Sequence, residues 1–336
     1  MESLSSIAKQ LLSDPKGLLA ADESTKSANK RFAALNIEQS EEMRRIYRQM
    51  LFTSPNVAQY ISGVILYDET IRQTSDNGTP FTKLLQDQGI IPGIKVDGGL
   101  VDLTNFPDET ITEGLDGLAD RLAEYYAMGA RFTKWRAAFV VDEAKKLPTS
   151  TAIHANLHVM ARYASLAQAA GIVPIVEPEV LYDGAHSQKA CKDTLSTVLR
   201  ILFELLTAYR VDLTGVILKS SMVLAGKENP KQADPHDVAT ATLQVFNDRV
   251  PTDLAGIVFL SGGQSPDMAT ANLNAIGSAG KQPWPITFSF SRAVQDPAMQ
   301  KWNGKSENVA EAQSIFAELI ANNSLARDGK FASNKK

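Results

Sequence analysis

The stretch Val216-Ile217-Leu218-Lys219 ends a β-branched apolar run in a lysine. A strand this apolar is buried, which sets its last ammonium at the rim of a low-dielectric core. A lysine amine, with an ordinary pKa of about 10.4, is almost wholly protonated at neutral pH. Burial and neighbouring cations free such an amine to attack a carbonyl. Two further apolar runs precede it, one carrying Lys134 and the other ending at Glu177. An ammonium at Lys134 disfavours a second at Lys219 by like-charge repulsion, and Glu177 offsets part of that repulsion while shuttling protons. Attack of an amine on a ketone requires proton donation as the carbinolamine loses water, a step suited to a carboxylic acid of raised pKa. The iminium so formed is an electron sink that makes carbon–carbon cleavage feasible. A structural ion pair is the alternative for Lys219 taken alone; charged partners on consecutive strands favour the catalytic reading.

Glu177-Pro178-Glu179 places two carboxylates on one side of an extended segment. The expected division is that Glu177 handles protons and Glu179 holds a lysine in place. Leu260-Ser261-Gly262-Gly263-Gln264-Ser265-Pro266 follows another apolar run and opens a helix. Glycine lets the backbone approach an anion closely, and a helix start supplies unpaired N–H donors. Arg292, beyond the last apolar run, would clamp a phosphate there. Asp22-Glu23-Ser24-Thr25-Lys26-Ser27, followed by Lys30-Arg31, reads either as a helix cap or as a second cationic, hydroxyl-rich site with Lys95 nearby. Two anion sites across one opening suit a substrate phosphorylated at both ends.

The elements that would position these groups repeat every 30 to 45 residues or so: an apolar run, a polar loop, then a helical pattern. The eight runs fall at 17–21, 63–67, 92–96, 130–135, 173–176, 215–218, 256–260 and 284–290. Helical spacing is clear in 152–169, 194–209 and 311–322, and Asp234-Pro235 and Ser265-Pro266 read as capped helix starts. Eight alternating units predict an α/β fold, an eight-stranded parallel β/α (TIM) barrel, with a doubly wound sheet as runner-up. A barrel gathers functional groups at the C-terminal strand ends, and the polar residues cluster there: Asp22, Asp68, Lys95, Asp97, Lys134, Arg136, Glu177, Lys219, Ser261 and Arg292. Residues 1–325 read as a single domain, with an N-terminal amphipathic helix, and 326–336 as a mobile C-terminal tail.

With a net charge of -4 and 21% charged residues, the chain gives no global reason to bind nucleic acid or anionic membrane. No run reaches the roughly 20 apolar residues of a spanning helix. The lone cysteine, Cys191, excludes an intrachain disulfide and reads as a small structural residue; a cytoplasmic location follows as the default. Metal chemistry reads poorly: His154 and His158 lack the adjacent glutamate of a zinc-protease helix, and His186 and His236 lie in loops without ligand-spaced partners. Neither metal nor cofactor is expected. Asp97-Gly98-Gly99 and Asn303-Gly304 read as turns.

Taken in order, Gly17-Leu18-Leu19-Ala20-Ala21-Asp22-Glu23-Ser24-Thr25, Gly93-Ile94-Lys95-Val96-Asp97, Lys134-Trp135-Arg136, Val173-Pro174-Ile175-Val176-Glu177-Pro178-Glu179, Leu218-Lys219 and Phe259-Leu260-Ser261-Gly262-Gly263-Gln264-Ser265 resemble class I fructose-1,6-bisphosphate aldolases over essentially the whole chain. The resemblance implies reversible cleavage of fructose 1,6-bisphosphate to dihydroxyacetone phosphate and glyceraldehyde 3-phosphate, serving glycolysis, gluconeogenesis or carbon fixation. It further implies a Schiff base at Lys219, a proton shuttle at Glu177 supported by Lys134 and Glu179, and Asp22 as acceptor of the hydroxyl proton during cleavage. Ser261, Gly262, Gly263, Ser289 and Arg292 would hold the ketose-side phosphate, and Ser24, Ser27, Arg31, Lys95 and Arg136 would line the rest of the substrate path. A homotetramer is expected by family analogy.

Three departures stand out. The chain has no tyrosine after Tyr209, whereas animal members end in one that helps exchange a proton on the enamine; another group or water is expected to take that part. Ser220-Ser221 follow Lys219 where well-known members have proline and asparagine, and Ser291 stands where they have glycine, which would alter the phosphate loop. Two alternatives remain open on sequence: another Schiff-base sugar-phosphate aldolase or transaldolase, told apart by rates on mono- and bisphosphorylated ketoses, and a non-catalytic binding scaffold, told apart by a Lys219→Met variant that keeps the biological effect.

Overall fold

The computed structural model describes residues 2–332. Eight parallel strands close into a barrel in the order 1-8-7-6-5-4-3-2: Gly17–Ala20, Ile61–Leu66, Ile91–Lys95, Phe132–Phe139, Val173–Val180, Ile217–Ser220, Gly256–Phe259 and Ile286–Phe290. Each strand pairs only with its sequence neighbours and the first closes on the eighth, so the doubly wound alternative is excluded.

The strands are buried on both faces, and the two-residue period sorts their side chains between two cores. Outward side chains pack against the surrounding helices, as where Trp135 stacks on Tyr163 with ring centroids 5.3 Å apart. Inward side chains form a second, smaller core: Leu18, Ile65, Phe132, Val173, Ile175, Ile217 and Val258. The expected N-terminal helix, Leu4–Leu11, packs Ile7, Ala8 and Leu11 into this interior core, and the Leu11 carbonyl accepts a bond from Ser62 Oγ at the start of strand two. The lower end of the barrel is thereby stoppered with hydrocarbon. At Gly93 a side chain would collide with the Phe132 ring, so this glycine makes room for the largest group of the interior.

The capped helix starts are where the sequence places them. The side chains of Asp234 and Ser265 accept from Asp237 N and Met268 N, ahead of helices Pro235–Arg249 and Pro266–Ser278. Strands four and five run several residues past the apolar runs, because Arg136, Glu177 and Glu179 face the barrel interior while their neighbours keep the outer core apolar. A two-stranded antiparallel hairpin, Gly99–Asp102 with Thr110–Glu113, stands between strands three and four and had no counterpart in the sequence reading. The last helix, Val309–Arg327, passes the boundary placed after Leu325, and the buried Arg327 guanidinium donates to Ser13 O and Lys16 O. Residues 333–336 of the expected tail lie outside the described residues.

Candidate active site

Following the inward stripes upward from the apolar interior gives the site directly. Leu18 and Ala20 lead to Asp22, Phe132 leads to Lys134 and Arg136, Ile175 to Glu177 and Glu179, and Ile217 to Lys219. On each of these strands the inward stripe changes from hydrocarbon to charge toward the C-terminal end. Above it opens a cavity of about 700 Å³ at the C-terminal strand ends.

Glu177 bridges the two lysines. Its Oε2 lies 3.0 Å from Lys134 Nζ and its Oε1 lies 3.2 Å from Lys219 Nζ. Lys134 Nζ also sits 2.7 Å from Asp22 Oδ2. All four residues are buried. Burial pushes the Asp22 carboxyl up, but the charges of Lys134 and Lys219 outweigh it and hold the group at about 2. Burial likewise raises the Glu177 carboxyl, and Lys134 followed by Lys219 pull it below the ordinary value. For Lys134 the balance reverses: burial opposes the ammonium, while Asp22 and Glu177 stabilise it and carry its pKa well above the usual lysine value. The expectation of a raised, ready-protonated acid at Glu177 is therefore corrected. Two cations within ion-pair distance keep it a carboxylate at rest.

A second set of pairs surrounds this knot. Arg136 Nε donates to Glu179 Oε2, so Glu179 holds an arginine and not the expected lysine. Asp97, read as part of a turn, is buried: it accepts from Lys95 Nζ and from the backbone N–H of Arg136 and so ties strand three to strand four. The signal for it was its place two residues after Lys95, at a strand end. Glu23, unassigned in the sequence reading, is paired with Arg48 at 2.7 Å and with Arg31, and it accepts from Ser291 Oγ at 2.9 Å.

Of the residues expected to hold phosphate, Ser261, Gly262, Ser289 and Arg292 line the cavity. Ser289 Oγ is buried and has no hydrogen-bond partner among the described residues. Gly262 and Gly263 both adopt positive φ, +58° and +95°, which lets the loop turn sharply over strand seven. Gly263 is not part of the lining; it backs the Arg292 guanidinium, which a side chain at 263 would approach to 3.4 Å. The start of helix Pro266–Ser278 is capped by Ser265 and also stays out of the lining, so the expected N–H donors of that helix do not reach the cavity.

Among the residues expected along the remaining path, Ser24, Ser27, Lys95 and Arg136 line the cavity and Arg31 does not. Arg31 is drawn aside by two carboxylates, Glu23 and Asp296, the latter at 2.6 Å. Lys26, Ser291 and Leu100 of the hairpin complete the mouth. The first strand neighbours the eighth in the barrel, so the two hydroxyl-rich anion sites adjoin along one wall and do not face each other across the opening. Away from the cavity, His158 packs edge-on against Tyr209, and Cys191 is buried with its thiol pushed up to about 11 by desolvation, an inert state.

Comparison with known proteins finds similarity over nearly the whole chain. The family described as glycolytic, fructose-bisphosphate aldolase class-I, matches residues 3–336. A probable class 1 fructose-bisphosphate aldolase of Xanthomonas campestris pv. campestris is 48% identical over 332 residues, covering 98% of this chain and 99% of the relative. The fructose-bisphosphate aldolase of Plasmodium falciparum is 45% identical over 330 residues, covering 98% and 89%. A solved structure of the Plasmodium falciparum aldolase, in complex with TRAP and a small-molecule inhibitor, superposes with a TM-score of 0.97 at 45% identity, covering 98% of this chain and 95% of that one.

Proposed function

Since the chain belongs to the class I fructose-bisphosphate aldolase family, we propose that the site described above cleaves fructose 1,6-bisphosphate reversibly through an imine on Lys219. The observation that carries this reading is the Glu177 bridge, one carboxylate oxygen on each of two buried lysines. Lys219 Nζ attacks the C2 carbonyl once its proton has passed to Glu177. Glu177 returns that proton to the C2 oxygen, takes a second from the attacking nitrogen and passes it to the new hydroxyl, which departs as water and leaves an iminium. Asp22 takes the C4 hydroxyl proton, the C3–C4 bond breaks, and its electron pair enters the iminium to give an enamine. Glyceraldehyde 3-phosphate leaves first. Protonation at C3 and hydrolysis then release dihydroxyacetone phosphate. Lys134 stays charged throughout and fixes Asp22 and Glu177 in place, while Arg136 and Glu179 brace the strand pair beside them. The ketose-side phosphate is assigned to Ser261, Gly262, Ser289 and Arg292, supported by the orphaned Ser289 hydroxyl in the cavity wall.

Borohydride added with dihydroxyacetone phosphate should reduce the imine and mark Lys219 in a peptide map. Labelling at another lysine, or none, would overturn the assignment. The reading extends to a homotetramer, on family resemblance, to be checked by light scattering, and to the cytoplasm, in keeping with a single buried thiol and no helix among the described residues long and apolar enough to cross a membrane.

A further inference from the structure

The ladder between strands five and six stops early. Ile175 and Val176 pair across it with Ile217 and Leu218, and the pairing ends there although strand five runs on to Val180. The backbone accounts for this. The N–H groups of Val173 and Leu181 donate to Arg131 O and Phe139 O on the strand-four side, so the odd residues of strand five face that way and Val176, Pro178 and Val180 face strand six. Pro178 has no N–H to give. The break therefore falls beside Glu177 and Lys219, whose 3.2 Å contact spans the same two strands.

Above the break a side chain makes the tie again. The Val180 N–H donates to Ser221 Oγ at 3.1 Å, and both residues are buried. The hydroxyl thus supplies the partner that a buried backbone donor requires. The segment carrying it is itself held: Ser220 Oγ donates to Ser221 O at 2.9 Å, and the Ser220 carbonyl accepts from Leu260 N beyond strand seven. We propose that Ser221 is a positioning residue, whose hydroxyl closes the split opened at Pro178 and so sets the spacing between the Lys219 amine and the Glu177 carboxylate. Glu177 and Lys219 are bracketed by the last ladder pair on one side and by the Val180–Ser221 bond on the other. Ser221 is not part of the cavity lining, so it acts through these two groups and not on substrate. The asparagine of well-known members is also an oxygen acceptor by type, so the departure at this position exchanges one acceptor for another.

The inference rests on the imine reading, and its test separates the two. Ser221→Ala removes the acceptor, and Ser221→Thr keeps it. The rate of borohydride trapping with dihydroxyacetone phosphate is measured per folded molecule, with folding followed by tryptophan fluorescence, in the otherwise unmodified protein and in a Glu177→Gln background. With Glu177 present, Ser221→Ala should slow trapping about ten- to a hundredfold, since displacing a reacting group by about 1 Å costs up to 10² in rate, and Ser221→Thr should recover most of it. With Glu177→Gln, Ser221→Ala should cost no more than about twofold further, because the residue acts through that carboxylate. Ser221→Cys, close in size but a weak acceptor, should behave as Ser221→Ala and takes its place if the alanine variant does not fold. An unchanged rate in the folded variant, or the same fold-loss with and without Glu177, would overturn the role given to Ser221 while trapping on Lys219 still stood. Failure of trapping in the unmodified protein would remove the premise and the inference together.

Discussion

Asp22 offers the most direct measurement of how the charged knot is held. Its carboxyl falls from an ordinary 3.8 to about 2 because the Lys134 ammonium 2.7 Å away, with Lys219 behind it, outweighs burial. A folded-state pKa below the unfolded one means that the ionised carboxylate stabilises the fold above pH 4, and that this contribution is lost as pH falls toward 2. A shift of this size, at 1.36 kcal/mol per pH unit, corresponds to about 2–3 kcal/mol at neutral pH. Asp22→Asn keeps the shape and removes the charge, so it should cost about that much. Urea unfolding followed by tryptophan fluorescence suits the measurement, because Trp135, Trp284 and Trp302 are all buried. The gap between the two proteins should be constant from pH 7 to pH 5 and should narrow below pH 4 as the unfolded chain takes up its proton. A variant as stable as the parent at pH 7, or a gap that persists undiminished as the pH is lowered through 3, would refute the claim that Lys134 holds Asp22 as a favourable buried anion.

Glu177→Gln should lower kcat by about 10² to 10⁴ and slow imine trapping by dihydroxyacetone phosphate, because the amide cannot carry the proton between Lys219 and the substrate oxygen; stopped-flow trapping with borohydride reads both steps. Asp22→Asn should abolish cleavage yet leave the rate of that trapping within a fewfold of the parent, since Asp22 carries no proton in imine formation. Ser289→Ala should raise KM about five- to tenfold, the loss of roughly one hydrogen bond to phosphate, with kcat little altered in steady-state assays. Gly93→Ala should destabilise the barrel by about 1–3 kcal/mol in thermal or urea unfolding, the range for overpacking a filled core, because its methyl group meets the Phe132 ring.

The fold was legible because a parallel barrel writes itself as repeated buried strands, and eight such runs with helical segments between them leave few topologies. The residues proposed to react were legible because Glu177 and Lys219 end runs that are otherwise hydrocarbon and Lys134 lies late in another. What lies in pairing was not legible. Arg31 is as basic as any phosphate ligand by type, and only the structure shows that Glu23 and Asp296 take both edges of its guanidinium. Asp97 was placed at a strand end, but the two glycines after it suggest a turn and gave no sign that its carboxylate works sideways on Lys95 and the Arg136 N–H. The hairpin at 99–113 was missed because its outer residues, including Leu100 and Val101, are exposed and carry no alternation toward a core.

The lowered pKa of Glu177 fits the proposal that acid and nucleophile arise in one event. At rest the carboxylate lies between two cations and is held ionised by both. Moving a proton from Lys219 to Glu177 turns an ion pair into a neutral amine and a neutral acid, and neutral groups are the ones a water-poor site penalises least. The amine can then attack, and the acid beside it is the donor that the departing C2 oxygen needs. Lys134 cannot take the place of Lys219 in this exchange, because its ammonium is pinned by Asp22 on one side and Glu177 on the other. Two lysines on strands separated only by strand five thus differ in the number of carboxylates within ion-pair distance: two for Lys134, one for the lysine proposed to react.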